Sequence, residues 1–449
     1  MEHIAKPHCG ARLDRLPDCR WHSSMFAIVA FGLLVCWSNA VGGLILAQLK
    51  ELGWTDNSTT ATFSAITTAG MFLGALGGGI IGDKIGRKNA FILYEAIHII
   101  AMVVGAFSPN MTFLIACRFV MGVGLGALLV TLFAGFTEYM PGRNRGTWSS
   151  RVSFIGNWSY PLCSLIAMGL TPLISAEWNW RVQLLIPAVL SLMATIIAWR
   201  RFPESPRWLE SRGRYAEAEK VMRAIEEGVV LQTGKPLPPV VIEDDGKAPR
   251  AVPYSALLTG VLLKRVILGS FVLIAMNVVQ YTLINWLPTI FMTQGINLKD
   301  SIVLNTMSMF GAPFGIFIAM LVMDKIPRKT MGVGLLVLIA GLGYIYSLQT
   351  SMLLITLIGF FLITFVYMYV CYASAVYVPE IWPTEAKLRG SGLANAVGRI
   401  SGIAAPYAVA VLLKEGANKQ VISSQADSLI KISRIWADFF PANTSNQPI

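Results

Sequence analysis

Charge is what this chain has least of. Only 14% of its 449 residues are Asp, Glu, Lys or Arg, while 55% come from the hydrophobic set; a soluble domain carries about 25% charged residues. That scarcity excludes an ordinary soluble enzyme. The strict alternation of a transmembrane barrel strand is missing too, because runs such as 25–49 stay apolar without a period of two. Cysteine is sparse: six residues, at 9, 19, 36, 117, 163 and 371, with no C-x-x-C pair and hence no disulfide framework. Cys9, Cys19 and His22 match no established zinc spacing, so no metal is expected. Neither a P-loop, an H-E-x-x-H helix nor a G-x-S-x-G elbow occurs. These absences exclude direct ATP drive and leave no catalytic constellation, so neither an enzyme nor a cofactor is expected.

What is present is a succession of apolar runs, at 25–49, 61–81, 90–107, 112–136, 152–174, 182–199, 266–291, 303–323, 331–349, 352–378 and 391–413. Each is close to the roughly 20 residues that span a bilayer as a helix, and helices satisfy their own backbone in lipid. The fold class is therefore an all-α polytopic membrane protein. No cleavable leader is expected, since the first run begins at Met25 and is long enough to span.

The net charge of +11 would fit nucleic-acid binding if it were clustered on a soluble face, but its location says otherwise. Counted by alternate sides of the spans, 26 Lys and Arg residues fall on one side and three, Lys50, Arg181 and Lys299, on the other. That is the positive-inside pattern, so the amino terminus and the long central loop are expected in the cytoplasm, and nucleic acid is not expected as a partner.

The chain also repeats itself. Asp83-Lys84-Ile85-Gly86-Arg87-Lys88 returns as Asp324-Lys325-Ile326-Pro327-Arg328-Lys329, and Glu138-x-x-Pro141 with Arg145-Gly146 returns as Glu380-x-x-Pro383 with Arg389-Gly390. The offsets, 241 for the first motif and 242 for the Glu and Pro of the second, nearly coincide, which points to two duplicated halves in one orientation. The expected divisions are a cytoplasmic tail 1–24, a first half 25–202, a linker 203–262 with short amphipathic helices, a second half 263–413 and a tail 414–449. A twelfth span is expected near 423–440, but Asp427, Lys431, Arg434 and Asp438 interrupt it. An interfacial amphipathic helix in its place is the better expectation.

Gly79 to Lys88, Arg118-x-x-x-Gly122-x-Gly124-x-Gly126, Pro203-Glu204-Ser205-Pro206-Arg207-Trp208-Leu209 and Pro379-Glu380-Ile381-Trp382-Pro383-Thr384-Glu385 together resemble the major facilitator superfamily, in particular its sugar-porter-like metabolite transporters. Within it the chain is similar to enterobacterial inner-membrane metabolite transporters. The resemblance implies two six-helix halves around a central cavity, alternating access and a proton-driven mechanism. It also implies a gating role for Asp83, Arg87, Glu138, Arg145, Glu204 and Arg207 in the first half and Asp324, Arg328, Glu380 and Arg389 in the second. Pro327 stands where the family has glycine. The glycines after Arg118 follow no strand and read as close-packing positions rather than a dinucleotide fingerprint.

Ionisable groups inside a membrane are costly and are functional candidates. The resemblance places Arg118 near the cavity and the coupling machinery; Arg399 is a second cation, with a structural role as its alternative. The first span carries Trp37, Ser38 and Asn39 where related symporters often have a carboxylate. Glu95, which shares a helix face with His98, is the carboxylate left inside a span, and the two are the expected proton-coupling pair. Ser38, Asn39, Arg118, Asn157, Asn277, Gln280, Tyr281, Asn285 and Tyr369 are the expected substrate contacts, with Trp286, Tyr367 and Tyr372 as further aromatic surface. The expected function is import of a sugar or sugar acid by proton symport, as a monomer in a bacterial inner membrane. A facilitative uniporter is the alternative and a channel a more distant one.

Overall fold

A computed structural model describes residues 7–414 apart from 18, 36, 142–144, 241–253, 324 and 383–385. The altered twelfth span, the tail beyond 414 and Asp324 lie outside the described residues.

The first half begins with α1 (Cys9–Asp14), followed by α2 (Arg20–Val35) and α3 (Gly42–Glu51), which together form the first span. Spans two to four are the continuous helices α4 (Asn57–Ile85), α5 (Arg87–Ala106) and α6 (Met111–Tyr139). Span five is α7 (Arg145–Asn157) plus α8 (Ser159–Leu170), and span six is α9 (Ala176–Arg201). The linker holds α10 (Pro206–Ser211), α11 (Tyr215–Thr233) and α12 (Tyr254–Leu257). In the second half, span seven is α13 (Gly260–Thr293), span eight is α14 (Leu298–Met309) with α15 (Gly311–Val322), and span nine is α16 (Arg328–Ser347). Span ten is α17 (Met352–Cys371), a π-helical turn Tyr372–Tyr377 and α18 (Val378–Glu380); span eleven is α19 (Lys387–Lys414). Eight of these segments are long and apolar enough to cross a membrane by length and composition.

Three of the short loops on the sparsely charged side end in side-chain caps. Asp56 accepts from the Thr59 amide (2.7 Å), Asn110 from Phe113 (2.9 Å) and Asn297 from Asp300 (2.8 Å), which satisfies amides that a helix start leaves open.

Three apolar runs that read as unbroken spans are broken helices. In span five the break is at Trp158 and in span eight at Phe310, each three residues before a proline, Pro161 and Pro313. A proline cannot donate to the carbonyl four residues back, so the ladder is interrupted at Asn157 and at Met309. The two breaks meet across the molecule, with the Trp158 and Phe310 rings 6.3 Å apart. In span one the chain turns between Trp37 and Val41 before Gly42 and Gly43 start α3.

Small residues set the packing. Gly70, Gly74 and Gly78 of α4 lie against Phe119, Val123 and Ala127 of α6, and Gly122 and Gly126 of α6 lie against Thr67 and Met71 of α4. Backbones come this close only where no side chain intervenes. The halves are joined by two apolar clusters at the sparsely charged end. One contains Leu44, Ile45 and Trp180 with Leu298 and Ile302; the other unites Ala61 with Trp286, Ile290, Val409 and Ala410. At the basic end, the cluster of Met25, Phe136, Tyr139 and Trp148 belongs to the first half alone.

A Cβ on Gly74 would lie 2.0 Å from the Val123 carbonyl oxygen, whereas one on Gly77 meets nothing within 4 Å. Gly74→Ala is therefore expected to cost about 1–3 kcal/mol by overpacking, with a lower thermal midpoint in size-exclusion of the solubilised protein. Gly77→Ala is expected to leave the midpoint unchanged; equal behaviour of the two variants would contradict this packing.

Candidate functional site

Arg118, on α6, is fully buried. A guanidinium there needs oxygen acceptors, and the break in span one supplies one: Ser38, in the turn, presents its carbonyl to Nη1 at 2.6 Å. Thr67 Oγ1 of α4 accepts from Nε at 3.2 Å, and the Phe63 ring lies 4.6 Å below the charge. Among the described residues Arg118 makes no ion pair, so its charge is held by neutral oxygens and a π face. A Cβ on Gly42 would lie 2.9 Å from Arg118 Nη2 and 3.5 Å from Asn285 Oδ1. The charge thus sits where α3 meets α13 of the opposite half.

The same serine faces both ways. Its hydroxyl is 2.6 Å from His98 Nε2, and His98 Nδ1 is 3.8 Å from Glu95 Oε2. Glu95 and His98 are both fully buried, and among the described residues neither Glu95 oxygen has a hydrogen-bond partner. Close approach of α6 makes room for the imidazole, since a Cβ on Gly124 would lie 3.0 Å from the His98 backbone. Glu95, His98, Ser38 and Arg118 therefore form one buried chain of polar groups from span three, through the break in span one, to span four. The expected Glu95–His98 pair is thereby brought together with Ser38 and Arg118.

A second group of polar residues lies at mid-depth between the halves. Tyr160 of α8 and Tyr367 of α17 stack edge to face at 5.4 Å, and Gln280 and Tyr281 of α13 gather with Tyr160 around the Tyr367 hydroxyl. Among the described residues that buried hydroxyl makes no hydrogen bond. Asn157 and Gln280 are half-buried, and Asn157 donates to the Ser153 carbonyl at 2.8 Å. Asn277 donates to the Leu273 carbonyl at 2.8 Å and lies beside Gly398 of α19. Asn39 is half-buried in the turn of span one. Tyr369 is placed inside the second half, donating to the Val272 carbonyl at 3.3 Å and stacked on Tyr372. Tyr367, not Tyr369, meets the opposite half. Trp286 is fully buried in the apolar seal. Sequence reasoning missed Tyr160 and the cross-half bond from Asn305 to Ser164 (3.3 Å); the spacing of Asn157 and Tyr160, one helical turn apart, was the available signal.

At the basic end the charges are paired within each half. Arg87 reaches Asp83 at 2.6 Å and Glu138 at 2.8 Å, and Glu138 also takes the Ser205 hydroxyl. Glu204 accepts the Arg87 and Lys88 amides at 2.7 and 3.2 Å, placing a carboxylate on the start of α5. Arg207 donates to the Glu138 carbonyl and pairs with Asp14 at 3.0 Å; Trp208 donates to the Asp83 carbonyl at 2.7 Å. In the second half Arg328 binds Glu380 through two nitrogens at 2.9 and 3.0 Å. Asp324 and the side chains of Arg145 and Arg389 lie outside the described residues. No ion pair among the described residues crosses between the halves.

The sequence model of the Major Facilitator Superfamily matches residues 26–406. The chain belongs to the major facilitator superfamily. It is 94% identical over 413 residues, 92% of this chain and 90% of the other, to YdjK of Escherichia coli (strain K12), a protein named for metabolite transport. It is 44% identical over 407 residues, 90% and 89% of the two chains, to the inner membrane metabolite transport protein YdjE of the same organism. Its fold is similar to that of the E. coli xylose transporter XylE in a partially occluded inward-open conformation, with TM-score 0.73 and 16% identity over 96% of this chain and 100% of that one. The superfamily and these relatives are those of membrane transporters, not enzymes.

In this member of the superfamily the residues before the first span are part of the basic end. Cys9, Leu13 and Leu16 are buried against Trp208, Leu209, Met222 and Ile225 of the linker. Arg12 binds Glu219 and Glu226, the latter at 2.7 Å, and Arg15 binds Glu226 at 2.7 Å. The Cys9 thiol is pushed up to about 12 by burial and by Glu210, which opposes the thiolate that zinc binding requires. Arg12, with Arg223, holds the Glu219 carboxyl below its ordinary value. Burial acts to raise Glu226, but Arg12 and Arg15 outweigh it and leave that carboxyl lowered as well. Their stabilisation is complete above the ordinary Glu value of about 4.3 and is lost as pH falls through the lowered values. Hydrogen exchange of residues 9–16 is expected to stay protected from pH 8 to 5 and to accelerate below about pH 4; loss of protection between pH 8 and 6 would contradict these pairings.

Proposed function

We propose that the chain imports a small organic metabolite, a sugar or sugar acid, by alternating access coupled to protons. The observation that carries this reading is the buried chain Glu95–His98–Ser38–Arg118. A carboxylate and an imidazole 3.8 Å apart can hold or release one proton between them, and Ser38 links that event to the guanidinium beside Asn285. A proton gained by the pair changes the charge seen by Arg118 and by anything bound next to it. Because Arg118 has no anionic partner among the described residues, the site favours a carboxylate-bearing sugar over a neutral one. Tyr160, Gln280, Tyr281 and Tyr367 supply ring faces and neutral donors for hydroxyl groups, and Asn39, Asn157 and Asn277 are further neutral candidates.

In this reading the basic end is cytoplasmic, the membrane is a bacterial inner membrane and the working unit is a monomer. The halves 25–202 and 263–413 move about the linker 203–262. The seal at Trp286 and Ile302 closes the outer side. The charge networks around Arg87 and Arg328 brace each half as it moves.

Proteoliposomes offered D-gluconate and D-xylose as probes test both points. The native chain is expected to accumulate the acid under an inward proton gradient and to lose accumulation when a protonophore is added. Glu95→Gln is expected to reduce gradient-driven accumulation at least tenfold while keeping counterflow of the same solute. Unchanged accumulation by Glu95→Gln would remove Glu95 from the mechanism. The absence of a carboxylate in the first span favours a second reading, facilitated uniport, and uptake that is saturable but indifferent to the protonophore would establish it.

A further inference from the structure

The seam between α5 and α9 on the outside of the first half ends in a cavity at each membrane face. The one at the basic end has a volume of about 740 Å³ and is bordered by Trp21, Lys88, Trp199, Arg201, Arg214 and Lys220, with carboxylates from Glu204 and Glu217. Glu204 is already committed to the α5 amides, and Glu217 pairs with Arg214 at 2.6 Å. Lys88, Arg201 and Lys220 make no ion pair among the described residues, so the cavity keeps an excess of positive charge. Nothing in the transport cycle described above uses it.

We propose that this cavity binds the phosphate headgroup of an anionic phospholipid. Its position distinguishes a lipid from a dissolved phosphate. α5 has 20 residues, about 30 Å at 1.5 Å per residue, which equals the hydrocarbon thickness of a typical bilayer. At the opposite end of the same seam lies the second cavity, about 370 Å³, bordered by Trp54, Phe107, Trp178 and Arg181. The two cavities therefore lie at the two boundaries of the hydrocarbon layer, where the headgroups of opposing leaflets begin. Between them the outward surface of both helices is apolar: Leu93 and Ile100 on α5, and Met193, Ile196 and Ile197 on α9, are exposed. Acyl chains have a surface to lie on. Trp199, 60% exposed, stands at the rim where aromatic side chains anchor to the interface, and basic cavities beside membrane helices recognise anionic headgroups. Because Lys88 starts α5, Arg201 ends α9 and Lys220 belongs to α11, one headgroup ties the linker to the membrane-embedded half.

Native mass spectrometry of the delipidated full chain, titrated with phosphatidylglycerol, phosphatidylcholine or inorganic phosphate, tests this. Phosphatidylglycerol is expected to be retained at least tenfold better than phosphatidylcholine. The double variant Arg201→Gln/Lys220→Gln removes two cations worth about 1 kcal/mol each near an anionic lipid, which corresponds to a roughly thirtyfold loss of that retention. The charge-preserving Arg201→Lys/Lys220→Arg is expected to keep it, as is the equal charge loss Lys235→Gln/Lys264→Gln away from the cavity. Equal retention of the two lipids, an equal loss in the distant variant, or binding of inorganic phosphate with no preference for phosphatidylglycerol would each overturn the proposal.

Discussion

A guanidinium buried in lipid must find oxygen, and in this protein it finds it by breaking a helix. Arg118 takes the Ser38 carbonyl at 2.6 Å, an acceptor that exists because the first span unwinds between α2 and α3. Broken backbone at membrane depth is tolerated where protein surrounds it, and here the freed carbonyl offsets part of the cost of the buried charge. The break also delivers the Ser38 hydroxyl to His98 and starts α3 with two glycines. A Cβ on Gly43 would lie 2.5 Å from the Ile284 carbonyl, so the same turn that holds the charge lets the halves touch. The buried charge, the Glu95–His98 pair and the contact between the halves meet in one local geometry.

The two halves share one brace, Arg87 to Glu138 and Arg328 to Glu380, and among the described residues the first half adds the linker to it. In the first half Asp83, Arg87, Glu138, Glu204 and Arg207 are tied to the linker, and through Asp14 and Arg12 to the residues before the first span. In the second half the corresponding bond is Arg328 to Glu380, and Pro327 takes the glycine position. The described part of the linker, α10 and α11, is therefore packed and ion-paired with the first half.

Much of this was legible in the sequence, for reasons that differ by residue. Long apolar runs and the one-sided basic loops read directly because the bilayer imposes both, and the recurring Asp-Lys-Ile motif exposed the duplication. Arg118, Glu95 and His98 were conspicuous because charge inside a span is rare. Sequence could not show that Ser38 joins them, since its carbonyl becomes an acceptor only when the helix breaks, and hydropathy does not register a break inside an apolar run. The same blindness hid the interruptions at Trp158 and Phe310, although Pro161 and Pro313 stood beside them. Tyr160 and Tyr367 are each ordinary aromatics in their own spans; only the crossing of α8 and α17 makes them a site. The docking of Cys9 to Leu16 on the linker joins segments some 200 residues apart, which no local pattern records.

In the proposed cycle the halves rock about the place where α3 meets α13 beside Arg118, opening one face as the other closes. Spin labels at Glu51 and Gln294 on the sealed end, and at Lys84 and Lys325 on the basic end, in a chain without native cysteines, report it by double electron–electron resonance in lipid nanodiscs. The account predicts that shifting between pH 8 and pH 5 in the presence of transported solute lengthens one pair distribution while shortening the other. Two distributions that stay fixed during saturable transport, or that widen together, would contradict it.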